Sequence, residues 1–237
     1  MNEKMKGIVT VFVDIDDTLW WFTENSKLAL RHTFDAFDIS SVCTYERFKE
    51  VYLKKNLELW NLYHHGLIDK DFLVNERFRF TLKECGYKGD VEKMCHLLDE
   101  EYLRFLALQS TTIPGARQLL EYLVAKGYDV NTLSNGFQGT QQQKLISGGL
   151  SDLIHRNVLS DDCGITKPQR GIFDYALEQC GAEAATSVMI GDNPDADIKG
   201  AHDAGWRTIY FNIRGLEPIE GTADAVVTSL DEILQIL

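Results

Sequence analysis

No stretch of this 237-residue sequence comes near the ~20 consecutive apolar residues that span a bilayer. Its longest run without a charged side chain, Val130 to Gln143, is rich in Gln, Asn, Ser and Thr, so no membrane crossing is expected. Basic residues are scarce beside acidic ones: 24 Lys and Arg against 36 Asp and Glu leave a net charge of −12. That sign repels nucleic-acid phosphates and anionic lipid surfaces, which excludes a general nucleic-acid binder. The five cysteines (Cys43, Cys85, Cys95, Cys163 and Cys180) are odd in number and include no C-x-x-C pair. Neither a disulfide framework nor a zinc knuckle is suggested, and reduced, structural thiols are expected. The apolar run Ile8 to Val13 is cut off by Asp14 and has no small-residue cleavage site, which is too short for a secretory leader. A cytoplasmic location is the expectation.

What is present is the composition of a folded chain, 44% hydrophobic and 25% charged. Three β-rich runs end abruptly in polar residues: Ile8 to Val13 before Asp14, Tyr128 to Leu133 before Ser134, and Ser187 to Ile190 before Gly191-Asp192. β-rich, largely apolar runs of this length read as parallel strands buried on both faces. Helical patterns at Ala116–Lys126, Thr140–Ser147, Gly171–Cys180 and Ala196–Ala204 lie between and after them. The alternation predicts a doubly wound, Rossmann-like α/β core whose ligand sits at the carboxyl ends of the strands, where Asp14, Ser134 and Asp192 stand. Residues 21–106 break the alternation, with no clear β-run, no proline, and apolar residues at helical spacing such as Tyr45, Phe48 and Tyr52. Gly66, Gly86 and Gly89 fall where turns would join about four helices. The predicted organisation is a core of residues 1–20 and 107–237 with a helical domain, 21–106, inserted after the first strand.

Two acidic clusters carry the chemistry. In Asp14-Ile-Asp16-Asp17-Thr18 two carboxylates at i and i+2 beyond a strand end can converge, one as nucleophile or metal ligand and the other as acid/base. An acidic turn at a strand end is the plainer reading of the same residues. Gly191-Asp192-Asn193-Pro194-Asp195-Ala196-Asp197 follows another apolar strand, and its residue types also suit a strand-to-helix turn. Together the clusters gather negative charge at one sheet edge, which calls for a cation. Hard carboxylate oxygens with no His or Cys pair nearby suit Mg²⁺ better than zinc. Between the clusters, Ser134-Asn135-Gly136 offers a hydroxyl and backbone N–H groups, and Lys167-Pro168 offers an ammonium.

In that order, Asp14-x-Asp16-x-Thr18, Ser134-Asn135, Lys167-Pro168 and Gly191-Asp192 with Asp197 resemble the four motifs of the haloacid dehalogenase superfamily of aspartyl-phosphate-forming phosphohydrolases. The resemblance spans essentially the whole chain. The long insertion after the first motif resembles a C1-type helical cap, and the mere 32 positions from Asn135 to Lys167 leave no room for the other cap type. Ser134-Asn-Gly-Phe137, Gln141-Gln-Gln-Lys-Leu145 and Ile172 to Gln179 are similar to the noncanonical pyrimidine 5′-nucleotidase branch.

The resemblance implies that Asp14 is the nucleophile and Asp16 the acid/base. Mg²⁺ would be held by Asp14, Asp192 and the backbone carbonyl of Asp16. Ser134, the Asn135 backbone and Lys167 would bind the transferring phosphate, with Thr18 supporting and Asp197, or else Asp195, orienting Lys167 or a metal-bound water. The implied partner is a small phosphomonoester, a pyrimidine nucleoside 5′-monophosphate or another phosphometabolite such as a sugar phosphate; the oligomeric state is left open. A 2-haloacid dehalogenase is disfavoured because a halide needs no proton and that branch lacks an acid where Asp16 stands. A phosphonate hydrolase would need a Schiff-base lysine, for which Lys27 is a poor candidate, and a silent phosphate-binding regulator would have lost one of the motif residues. Trp20, Trp21, Phe22, Trp60, Tyr63, His64, His65, Arg77 and Phe78 could contact a nucleobase, although aromatics at helical spacing more often form core.

Overall fold

A strand buried on both faces favours apolar side chains along its length, and Thr10–Val13 (β1) is buried at every position. In the computed structural model, which describes residues 5–237, β1 lies inside a six-stranded sheet of order β3-β2-β1-β4-β5-β6. The other strands are Asp129–Ser134 (β2), Arg156–Leu159 (β3), Ser187–Gly191 (β4), Arg207–Phe211 (β5) and Ala225–Val227 (β6). Every pairing is parallel, with Val13 opposite both Thr132 and Ile190. The chain fills one side of β1 first (β2, β3) and then the other (β4, β5, β6), so the order reverses between β1 and β4. That switch point opens a crevice at the carboxyl ends of both strands. β1, β2 and β4 lie within a residue or two of the three runs expected from sequence; β3, β5 and β6 are additional.

The chain divides into two compact units: the described residues up to Phe22 with Ser110–Leu237, and Thr23–Gln109. The second is helical. Its elements are α1 (Phe22–Ala36), α2 (Tyr45–His64), α3 (Lys70–Glu84) and α4 (Val91–Ala107). Thr44, Asp69 and Asp90 cap α2, α3 and α4 by accepting from the backbone N–H groups of Arg47, Phe72 and Lys93. Phe48, Tyr52, Phe78, Leu82, Leu98 and Tyr102 form the buried interior. Arg77 is buried there as well, its Nε donating to Asp99 at 2.6 Å, so Arg77 and Phe78 are core residues. Lys27 is half exposed and pairs with Glu24.

In the α/β unit the helices are α5 (Ala116–Ala125), α6 (Gln138–Ser147), α7 (Ser160–Cys163), α8 (Arg170–Cys180) and α9 (Gly200–Asp203). The pattern expected to be one helix over Ala196–Ala204 is instead a wider π-helical turn, Pro194–Lys199, running into α9. Phe12, Leu133, Ile172, Phe173, Met189 and Trp206 pack α8 and α9 onto the sheet. No helix among the described residues is long and apolar enough to cross a membrane.

Candidate active site

β1 delivers Asp14, whose backbone N–H still reaches Ile190 O at 2.9 Å, one residue beyond the strand. The next residues fold into a tight turn: Leu19 and Trp20 N–H both donate to Ile15 O, and Asp17 N–H donates to Trp20 O. Asp17 closes it at φ 60°, a left-handed conformation that aspartate tolerates better than bulkier residues. This geometry leaves Asp14 buried and Asp16 part-exposed. Thr18 Oγ1 donates to Asp192 Oδ1 at 3.4 Å, tying the turn to the end of β4.

Beyond β4, Asn193 caps the following turn by accepting from Asp195 and Ala196 N–H, with Pro194 at the first position, where no N–H is needed. The turn carries Asp197 back to its own start, where Asp197 Oδ2 accepts from Asn193 N–H at 3.0 Å. Gly191 makes room for it, since a Cβ there would collide with the Asp197 carboxylate. Ser134 ends β2, and the loop after it brings Asn135 against Lys167. Lys167 is 2% exposed, and its ammonium spends all three protons at 2.6 Å, on Asp14 Oδ1, Asp197 Oδ1 and Leu133 O. Burial alone would push this ammonium down, but the two carboxylates outweigh it and hold Lys167 above the usual lysine range.

Asp14, Asp192 and Asp197 are all buried and offer oxygens within 4.8 Å of one another. Burial pushes Asp14 up to about 7 against the pull of Lys167, and burial likewise raises Asp192 well above the ordinary carboxylate range. Arg214, on the loop after β5, sits 2.6 Å from Asp192 Oδ2 and is 40% exposed. Three carboxylates therefore meet two cations, and the all-oxygen donor set with one negative charge left over fits a hard divalent ion.

The structure thus brings Asp14, Thr18, Ser134, Asn135, Lys167, Asp192 and Asp197 to the carboxyl ends of β1, β2 and β4. Of the two expected alternatives, Asp197 and Asp195, it is Asp197 that meets Lys167. Asp16 faces a different set of partners: Lys144 Nζ donates to its two oxygens at 2.7 and 3.0 Å, and Gln141 Nε2 donates to Oδ2 at 3.0 Å. Gln141 Nε2 also donates to Ser134 Oγ at 2.6 Å. In sequence, Gln141 and Lys144 stand out only within the Gln141-Gln-Gln-Lys-Leu145 stretch that resembles the nucleotidase branch, with no role attached to either; the signal that could have marked them is a polar pair at i and i+3 beside the apolar Leu145, on the face of α6 that should be buried. Arg214 had no such signal.

Residues 8–205 match the family of haloacid dehalogenase-like hydrolases. The chain belongs to that family. It is 34% identical over 209 residues to the HAD-hydrolase YfnB of Bacillus subtilis (strain 168), covering 88% of this chain and 86% of YfnB. The crystal structure of YfnB bound to magnesium superposes with a TM-score of 0.87 at 31% identity, over 98% of this chain and 99% of that one. Pyrimidine 5′-nucleotidase YjjG of Escherichia coli (strain K12) is 34% identical over 229 residues, 96% of each chain. A glyceraldehyde 3-phosphate phosphatase of Pyrococcus furiosus is 28% identical, over 98% of this chain and 94% of that enzyme.

Proposed function

We propose that this hydrolase cleaves phosphomonoesters, acting on pyrimidine nucleoside 5′-monophosphates through an aspartyl phosphate on Asp14. The observation that carries the reading is the separation of the two motif aspartates. Asp14 is buried and tied to Lys167, whereas Asp16 is part-exposed and held by a different cation, Lys144. That separation supports one carboxylate attacking and the other exchanging protons with solvent or a leaving group; a halide, needing no proton, gives the second no task.

Asp14 attacks phosphorus and the ester P–O bond breaks, with Asp16 giving its proton to the departing alkoxide. Asp16, now a base, takes a proton from the water that attacks the aspartyl phosphate, which releases phosphate and restores Asp14. The Ser134 hydroxyl and the Asn135 backbone hold the phosphoryl oxygens where negative charge spreads, and Lys167 joins them by turning toward the phosphate the proton it gives Asp14 Oδ1 in the free site. Asp14, Asp192 and the backbone carbonyl of Asp16 would hold Mg²⁺, the ion bound in the YfnB structure. When bound, it lets an anionic nucleophile approach an anionic phosphate.

The pyrimidine preference is supported by YjjG and by PynA of Streptococcus pneumoniae, pyrimidine 5′-nucleotidases at 34% and 30% identity. The glyceraldehyde 3-phosphate phosphatases favour a second reading, a small sugar or triose phosphate. Phosphate release from purified enzyme with Mg²⁺, across nucleoside monophosphates, glyceraldehyde 3-phosphate and hexose phosphates, with chloride release from 2-chloropropionate measured alongside, separates them. The expected ranking puts uridine and thymidine monophosphates first, with no chloride released. Asp14→Asn should remain folded yet lose at least ~10³-fold in turnover.

A further inference from the structure

α6 follows β2 directly, and its buried residues are Gln141, Lys144 and Leu145, spaced i, i+3 and i+4 on one helical face. Only one of the three is apolar. The two polar side chains converge on groups already placed in the reaction: Gln141 Nε2 bridges Ser134 Oγ (2.6 Å) and Asp16 Oδ2 (3.0 Å), and Lys144 Nζ reaches both Asp16 oxygens.

Stability does not explain the arrangement. A buried ion pair is often no better for folding than well-packed apolar residues of similar volume. The Gln141 Oε1, turned away from the two acceptors, is buried without a hydrogen-bond partner, which costs the fold rather than helping it. The backbone also makes way, for a Cβ at position 136 would collide with the Gln141 amide as it is placed here, so glycine lets that amide lie where it does. Lys144 is fixed in turn, its ammonium 4.9 Å from the centre of the Trp20 ring and 5.2 Å from that of Phe22.

The hydrogen bonding has a direction. Ser134 Oγ accepts from Gln141 Nε2 and from Gly136 N–H (3.2 Å), so the hydroxyl has its own proton left to donate. Asp16 is gripped by three bonds while its side chain remains 30% exposed, leaving a face for a leaving group.

We propose that Gln141 and Lys144 are positioning residues of the phosphoryl transfer: Lys144 fixes the Asp16 carboxyl beside the leaving-group oxygen, and Gln141 couples that carboxyl to the Ser134 hydroxyl, turning its proton toward the phosphate. The inference rests on the reading of Asp16 as the general acid.

The test is Lys144→Met, a swap of similar length and volume, assayed on thymidine 5′-monophosphate and on p-nitrophenyl phosphate. The first has a basic leaving group that needs protonation; the second has one that departs largely unaided. kcat/KM reports events up to departure of the alcohol, so it isolates the acid step from the later attack of water. It is expected to fall about 30-fold on thymidine monophosphate and about 3-fold on p-nitrophenyl phosphate, within the range of general-acid effects. Tm should hold or rise, and Lys144→Arg should recover most of the loss. In an Asp16→Asn background Lys144→Met should cost nothing further. Should Lys144→Met not fold, Lys144→Gln is read in the same way. Equal losses on both substrates, a loss that tracks a fall in Tm, or a full additional loss in the Asp16→Asn background would each overturn the inference. If Asp16→Asn itself discriminates between the substrates and Lys144→Met does not, this inference alone falls. If Asp16→Asn strikes both equally, the general-acid reading falls and takes the inference with it.

Discussion

Asn135 grips Lys167 by its backbone on both sides: Asn135 Oδ1 accepts from Lys167 N–H at 2.8 Å, and Asn135 Nδ2 donates to Lys167 O at 2.9 Å. The side chain thus acts as an adapter between the end of β2 and a residue 32 positions later. Asn135→Ala should strand a buried N–H and a buried C=O and cost about 1–3 kcal/mol of stability. Turnover should drop at least ~10-fold with the displaced ammonium. Urea unfolding and phosphate-release kinetics measure both, and a variant with wild-type turnover would show that Lys167 holds its place without the clamp.

The metal-free protein should lose stability as pH rises. Asp14 has a folded value of about 7, above its unfolded value near 3.8, so the fold prefers its protonated form. The contribution is complete below pH ~4, wanes between pH 4 and 7, and is gone above it. In chelator, Tm should therefore fall by several degrees between pH 5 and pH 8, at about 2–4 °C per kcal/mol for a chain of this size. Asp14→Asn should flatten the slope. Mg²⁺ should raise Tm more at pH 8 than at pH 5, because it binds the ionised carboxylates. A larger Mg²⁺ shift at pH 5 than at pH 8 would contradict the account.

Arg214 competes for the same oxygens. Its guanidinium lies 2.6 Å from Asp192 Oδ2 but is itself 40% exposed, so the pair is worth only about 1 kcal/mol. Arg214→Ala should tighten Mg²⁺ binding about 3- to 10-fold by calorimetry, whereas weaker binding would mean that the arginine supports the ion.

In the helical domain, Arg77→Ala should leave the buried Asp99 carboxylate unpaired and cost about 3–5 kcal/mol. The double variant Arg77→Met with Asp99→Leu should regain most of it. Denaturant unfolding monitored on the domain's tyrosines reads the difference; equal stability of Arg77→Ala and wild type would show the ion pair to be idle.

How much of this was legible follows from where each signal lives. The central strands declared themselves because burial on both faces demands apolar runs, as in Val11-Phe12-Val13 and Val188-Met189-Ile190. β3 and β5 did not, since each opens on an exposed arginine, Arg156 or Arg207, and β6 has only three residues. The motif residues Asp14, Ser134, Lys167, Asp192 and Asp197 stood out at strand ends and in family order. Gln141 and Lys144 showed only as part of a stretch that resembles the nucleotidase branch, with no role of their own, because what sets them apart is the group they touch and not their spacing. Arg214 was invisible for a stronger reason: it reaches Asp192 through the return of β5, a contact between residues 22 positions apart that no local pattern encodes.

The two passages of chain that leave and re-enter the α/β unit run side by side. Trp20 bridges Thr112 in antiparallel fashion, Trp21 N–H donates to Thr111 O at 3.0 Å, and Ile113 N–H donates to Leu19 O at 2.9 Å. Exit and entry are stapled together within the α/β unit, so everything from Thr23 to Gln109 amounts to a cassette plugged into a single socket. Excising it or exchanging it for another of different length would leave the sheet register intact and change the loop-closure cost only logarithmically. A lineage built this way can rewrite its insert wholesale while inheriting the phosphate chemistry unaltered.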